Sequence, residues 1–168
     1  KVPKSFGNDW NYYKALHSVQ AGDSKKAINY LRKLQIRDNN FLVGKYMQAV
    51  LHAENKNNNK AIVLLKNLLR AEILDASLAP EKVKKRIVSK THLALGRIKY
   101  QNQDFDGASE NYRQVARFGN DFYQALFEQS WAYFMAGLPK HALGALYSSE
   151  TPFFAGVYNP ELPLLKAV

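Results

Sequence analysis

Histidines, carboxylates and lysines are the residues in this chain that could do chemistry. The four histidines, His17, His52, His92 and His141, have no partner at a metal-ligand spacing such as H-E-x-x-H. His52 and His92 are expected to be structural, packed within helical hairpins. The absence of cysteine excludes disulfides, thiolate zinc sites and Cys nucleophiles together. No G-x-S-x-G, P-loop or G-x-G-x-x-G is present. The carboxylates are few and scattered, and only Glu110 and Glu128 fall on aromatic-rich helices. The expectation is therefore no enzyme, with no catalytic residues, no metal and no cofactor. What remains is a short basic patch, Lys82, Lys84, Lys85 and Arg86. It reads as an anion-facing arm or, more simply, as the solvated face of a helix.

The charge is uneven. The whole chain carries a formal net charge of +10, but positions 1–100 alone carry +13 and positions 101–168 carry −3. Aromatics lean the other way, with 13 of 21 falling within 101–168. Nucleic-acid binding needs aromatics interleaved with cations for base stacking. Here the two segregate, so nucleic acid is possible but not favoured. The length suits one domain with a real core. No apolar run approaches the ~20 residues of a membrane span. The chain opens at Lys1 with no apolar leader stretch, which reads as a processed end or an artificial boundary. Its close at Val168 reads as the interior of a longer chain.

The elements that position these residues follow from an internal repeat. Lys25-Lys26-Ala27-Ile28 is matched at an offset of 34 by Asn59-Lys60-Ala61-Ile62, and Gly107-Ala108 is matched at the same offset by His141-Ala142. Ala61 and Ala108 stand at an offset of 47, so the chain reads as four units of 34 with a 13-residue insertion. Twelve positions before each alanine stand Ala15, Ala49, Gly96 and Ser130; four after it stand Leu31, Leu65, Tyr112 and Leu146. A further three on come Leu34, Leu68, Val115 and Ser149. Small residues at two facing points let two helices approach closely, and the large residues fill the space beside them.

This pattern resembles the tetratricopeptide (TPR) repeat, W-x₂-L-G-x₂-Y followed by A-x₃-F within one repeat period. Leu95-Gly96 and Ala108-x₃-Tyr112 fit best, and Tyr133 and Ala142 fit in the fourth unit. The W position carries Asn11, Lys45, His92 and Leu126, and the terminal Pro is missing. The resemblance implies an all-α fold: a right-handed superhelical solenoid of about four TPR-like hairpins plus a C-terminal partial or capping helix. Units are expected at about 8–41, 42–75, 89–122 and 123–154, with the insertion at 76–88, all within one domain.

The resemblance also implies a concave groove. The matching positions are Asp9, Tyr12, Leu16 and Val19, then Val43, Tyr46, Val50 and Glu54. The later units add Lys90, Leu93, Arg97, Tyr100 and Gln101, then Gln124, Phe127, Trp131, Phe134 and Met135. The expected partner-binding residues are Tyr12, Tyr46, Lys90, Arg97, Tyr100, Phe127, Trp131 and Phe134. Large aromatics with an Arg suit protein recognition. The carboxylate clamp of the chaperone-binding subgroup would need Lys, Asn and Arg at Tyr12, Leu16, Met47, Lys90 and Ala94. Only Lys90 fits, so no such clamp is expected.

Helices are expected over 8–20, 24–36, 41–54, 60–74, 81–101, 105–117, 120–136 and 139–149, with no sheet. A last helix is expected over 160–168, capped by Asn159 with Pro160 at its first position. The segment from Pro152 to Glu161 is similar to stretches that follow TPR units in bacterial envelope proteins. That implies a periplasmic or envelope location, with the cytoplasm as the alternative. The leading reading is a protein-interaction scaffold binding a peptide or helix. The alternatives are a polyanion-binding solenoid and the helical part of a larger cell-wall enzyme.

Overall fold

A computed structural model describes residues 9–154 together with Glu161, Pro163 and Lys166. Among these the chain is all-helical. The helices are α1 (Trp10–Gln20), α2 (Ser24–Arg32), α3 (Phe41–Glu54), α4 (Asn58–Leu68), α5 (Ala71–Ala76), α6 (Glu81–Gln101), α7 (Phe105–Arg113), α8 (Phe122–Met135) and α9 (Pro139–Ser149). A 3₁₀ turn follows at Pro152–Phe154. Of the helix expected over 160–168, only Glu161, Pro163 and Lys166 are described, and Pro163 and Lys166 are helical. No helix among the described residues is long and apolar enough to cross a membrane.

The repeat is written into the backbone at the hairpin turns. Gly22, Lys56, Gln103 and Gly137 stand at equivalent positions, and all have positive φ, between 58° and 75°. In each turn the next residue's N–H reaches back five positions: Asp23 to the Ser18 carbonyl (2.9 Å), Asn57 to His52 (2.8 Å), Asp104 to Lys99 (2.9 Å) and Leu138 to Tyr133 (2.9 Å). This is the Schellman closure, which satisfies carbonyls left open at a helix end. In two of the turns the same residue then caps the next helix. The Asp23 carboxylate accepts the Lys26 N–H (2.9 Å) and the Asp104 carboxylate accepts the Gly107 N–H (2.9 Å). Pro139 opens α9, where its missing N–H costs nothing.

The described residues divide into two compact units, with the boundary between Thr91 and His92, within α6. In the first unit α1 packs on α2, α2 on α3, and α3 on α4. One core gathers Ala15, Ala27, Leu31 and Leu34, and a second gathers Leu42, Leu68, Ala79 and Ile87. In the second unit α7 packs on α8 and α8 on α9. Its cores centre on Leu93, Ala108, Tyr112 and Ala132, and on Phe127 with Leu146. The small and large residues set by the repeat register are all buried, and Ala15, Ala27, Ala49, Ala61, Ala108 and Ser130 have no exposed surface. Gly96 shows why smallness is needed. A Cβ there would lie 2.5 Å from the Tyr112 ring.

Several helix boundaries differ from expectation, for one reason. The helix expected over 60–74 is two helices, because the Leu69 and Arg70 N–H groups turn back to the Lys66 and Asn67 carbonyls (both 3.2 Å) and Arg70 is extended. Likewise α2 and α7 end at Arg32 and Arg113, several positions early. The Leu34 and Val115 N–H groups make i→i−3 bonds to Leu31 and Tyr112. These buried residues close each hairpin from a turn rather than from a further helical turn.

Candidate functional site

In the first unit, α3 places Val43, Tyr46, Met47 and Val50 on one face, at the i, i+3, i+4, i+7 spacing of an apolar stripe. With Val19 of α1, and with Arg86, Ile87 and Lys90 of α6, this stripe lines a groove of about 360 Å³. Glu54, at the C-terminal end of α3, is the carboxylate in the lining. Six of the residues placed in a groove by the repeat register meet here: Val19, Val43, Tyr46, Val50, Glu54 and Lys90. Tyr12 is placed differently. Its ring packs on the α1–α2 core and stands edge-on to Tyr13 at 5.6 Å. Burial raises its hydroxyl pKa, the nearby Tyr13 and Asp9 adding to this and the Arg86 charge opposing it.

The second unit holds a groove of about 460 Å³ lined by Arg97, Tyr100 and Gln101 of α6, Tyr112 of α7, and Glu128 and Trp131 of α8. The Arg97 guanidinium grips the Glu128 carboxylate with two nitrogens, Nε to Oε2 at 2.9 Å and an Nη to Oε1 at 2.6 Å. Gln124 Nε2 donates to the same carboxylate at 2.7 Å. Tyr112 lines the cleft beside the same carboxylate. Burial first, and then the Glu128 charge, push the Tyr112 pKa far up, so it stays a phenol. The Glu128 side chain is only 17% exposed while that of Arg97 is 49% exposed. The pair sets a mostly buried carboxylate beside a half-exposed guanidinium in an aromatic cleft.

The expected groove residues of this unit divide. Arg97, Tyr100, Gln101 and Trp131 meet in the cleft. Phe127 is buried against Leu146, in the core. Phe134 packs on that same core and stands edge-on to Trp131 at 6.0 Å, so it supports the indole from behind. Leu93 is core as well, and Met135 is about half exposed. Sequence reasoning did not assign Glu128 or Tyr112 to the cleft. Tyr112 stands in the register of large buried residues, and the side of its ring facing the cleft carries no sequence signal. For Glu128 the available signal is its being the one carboxylate on α8.

The basic patch lies on the first two turns of α6, with Lys82, Lys85 and Arg86 exposed and Lys84 half-buried. His52 is buried and His92 half-buried; burial lowers both pKa values, and the Lys60 and Arg32 charges lower that of His52 further. Among the described residues no three His, Asp or Glu side chains are grouped to hold a metal ion. No protein-family model matches the chain, and no curated protein sequence matches it.

Proposed function

We propose that this protein is a non-catalytic TPR-type scaffold that binds partner peptides or helices in grooves lined by the first helix of each hairpin. The observation that carries the reading is the gathering of register-assigned residues. Positions that the TPR resemblance implies for a groove, far apart in the chain, line two clefts: Val19, Val43, Tyr46, Val50 and Lys90 in one, Arg97, Tyr100 and Trp131 in the other. Both clefts are apolar or aromatic with an Arg at the edge, the composition that concentrates binding energy at protein interfaces. In this reading the Arg97–Glu128 pair positions the cleft and takes no part in catalysis. The repeat array is a solenoid, and its C-terminal segment is of the bacterial envelope type.

The chain has two tryptophans, Trp10 and Trp131. A Trp10→Phe variant therefore leaves Trp131 as a reporter of the second cleft. Peptides selected by display on the whole protein are expected to shift Trp131 emission or to lose affinity in Val19→Glu, at a position already 38% exposed. Loss of about tenfold or more, with the circular dichroism unchanged, is expected for at least one class of selected peptide. Selection that yields no binder, or binders indifferent to both Val19→Glu and Trp131→Ala, ends this reading.

A further inference from the structure

The groove of the first unit is asymmetric in charge. Its apolar stripe on α3 rises from Val43 to Val50, about 10 Å along the helix axis at 1.5 Å per residue. Beside it α6 carries Lys82, Arg86 and Lys90, one turn apart at i, i+4 and i+8, so they form a single basic row. Arg86 and Lys90 line the groove itself. The α3 and α1 side contributes no cation to the lining; its one charge is Glu54, one turn beyond Val50. The unit that holds the groove is strongly positive overall. Positions 1–91 hold 18 Lys+Arg against 7 Asp+Glu, whereas positions 92–168 hold 6 against 7. An apolar stripe with cations along one edge, set in a strongly positive unit, is complementary to a ligand with an apolar face and acids along one flank.

We infer that this groove takes an acidic amphipathic helix, with apolar side chains seated on Val43, Tyr46, Met47 and Val50 and carboxylates at i, i+4 spacing facing the Lys82–Arg86–Lys90 row. The inference rests on the peptide-groove reading given above and adds the chemistry of the partner. A regular row of cations one helical turn apart is matched by acids one helical turn apart on a helix lying along this part of α6. Glu54 ends the groove with the opposite sign. It sets the direction of the ligand by favouring a Lys or Arg at the partner's end beside it.

The test is a display library of helical peptides about five turns long, with a fixed apolar stripe and random flanking positions, selected on the whole protein at low salt. Asp and Glu are expected to be enriched at i, i+4 positions on one flank. On a Lys82→Glu/Arg86→Glu variant the flank preference is expected to turn to Lys and Arg. A selected peptide resynthesised with Gln for its acids is expected to bind about tenfold more weakly at about 50 mM salt, and the gap is expected to narrow by about 0.5 M as screening removes the charge term. Tyr147→Ala, at an exposed position of α9, should leave this binding unchanged and Val19→Glu should abolish it.

Enrichment of apolar-striped peptides without an acid preference overturns the inference while the groove reading stands. Unchanged binding of a selected acidic peptide resynthesised with Ser in place of its apolar stripe, or equal binding of an oligonucleotide, overturns it in favour of a general polyanion patch. Preference for extended, proline-containing peptides overturns the helical form. No enrichment at all ends both the inference and the groove reading for this unit. Circular dichroism of each variant separates loss of binding from loss of fold.

Discussion

Glu128 gathers Arg97 and Gln124 on one carboxylate, and the second unit satisfies its neighbouring polar groups in a way the first does not. The repeat register places Gln48 opposite Gln129, and His52 opposite Tyr133. In the second unit Gln129 Nε2 donates to the Ser109 carbonyl at 3.2 Å and to the Tyr133 hydroxyl at 3.3 Å, and Arg113 donates to that hydroxyl at 3.4 Å. In the first unit the shorter His52 stands there, and the buried Gln48 carbonyl oxygen has no partner. A cavity of about 360 Å³ adjoins His52, with Arg32 and Lys60 in its lining. His52→Tyr is therefore expected to stabilise the protein, by about 1 kcal/mol, by filling space and supplying a hydroxyl to the amide and to Arg32. Urea unfolding checks it, and a loss of stability sinks the idea. The pH dependence has a definite sign. His52 and His92 titrate below their ordinary value when folded, so the unfolded chain takes up protons first as pH falls. Their contribution is full above about pH 6.5 and is lost as pH drops toward the lowered folded values. The His52→Tyr variant should lose less stability than the wild type between pH 7 and pH 5.

The hairpin is the element that repeats, and its two kinds of glycine do different work. Gly22 and Gly137 sit in the left-handed region with open space where a Cβ would be. Their need is conformational, and Gly137→Ala is expected to cost about 1 kcal/mol from backbone strain alone. Gly96 lies within α6 but faces the Tyr112 ring, so Gly96→Ala overpacks a joint and is expected to cost about 1–3 kcal/mol. Measured in one urea series, the two should differ in kind. Adding Tyr112→Phe should leave the Gly96→Ala cost in place because the ring remains, while Tyr112→Leu should relieve it. At equivalent turns Lys56 and Gln103 adopt the same left-handed conformation without glycine. That is why these turns are less legible in the sequence than those at Gly22 and Gly137. The asparagine-rich stretch 55–59 marks a turn, and the hydrogen bonds around it decide its form. The α4–α5 break is unreadable for a similar reason: 60–74 has good helix-forming composition throughout, but the buried Leu68 ends the hairpin where Leu34 ends the first.

At the scale of the molecule, positions 1–91 carry +11 and positions 92–168 carry −1, so the net +10 is the charge of the first unit. Like charges held close oppose compaction, and screening relieves this within roughly 10 Å at 0.1 M salt. Raising sodium chloride from about 20 to about 300 mM is therefore expected to raise the melting temperature by a few degrees. A steady fall with salt would mean that attractive ion pairs dominate instead. Among the described residues the ion pairs are mostly exposed, such as Arg70–Glu72 and Arg113–Glu110, and worth little. The same charge would oppose binding of a basic partner and speed the approach of an acidic one, which is the whole-molecule counterpart of the basic row on α6.

By itself the sequence determined the helices, the hairpin register and the small buried positions. Those depend on short helical spacings and on a repeat of 34, which local periodicity carries. Through the TPR resemblance it also named candidate groove positions, Glu128 and Tyr112 not among them. Only the tertiary structure decided which of them do. Phe127 and Trp131 are one helical turn apart on α8, yet one is core and the other lines a cleft. The difference is made by Leu146 of α9 and Arg97 of α6, on two different neighbouring helices. The pairing of Arg97 with Glu128 joins two helices far apart in sequence and has no local signature. Whether an aromatic ring is covered or open is a property of its neighbours, and the neighbours are chosen by packing.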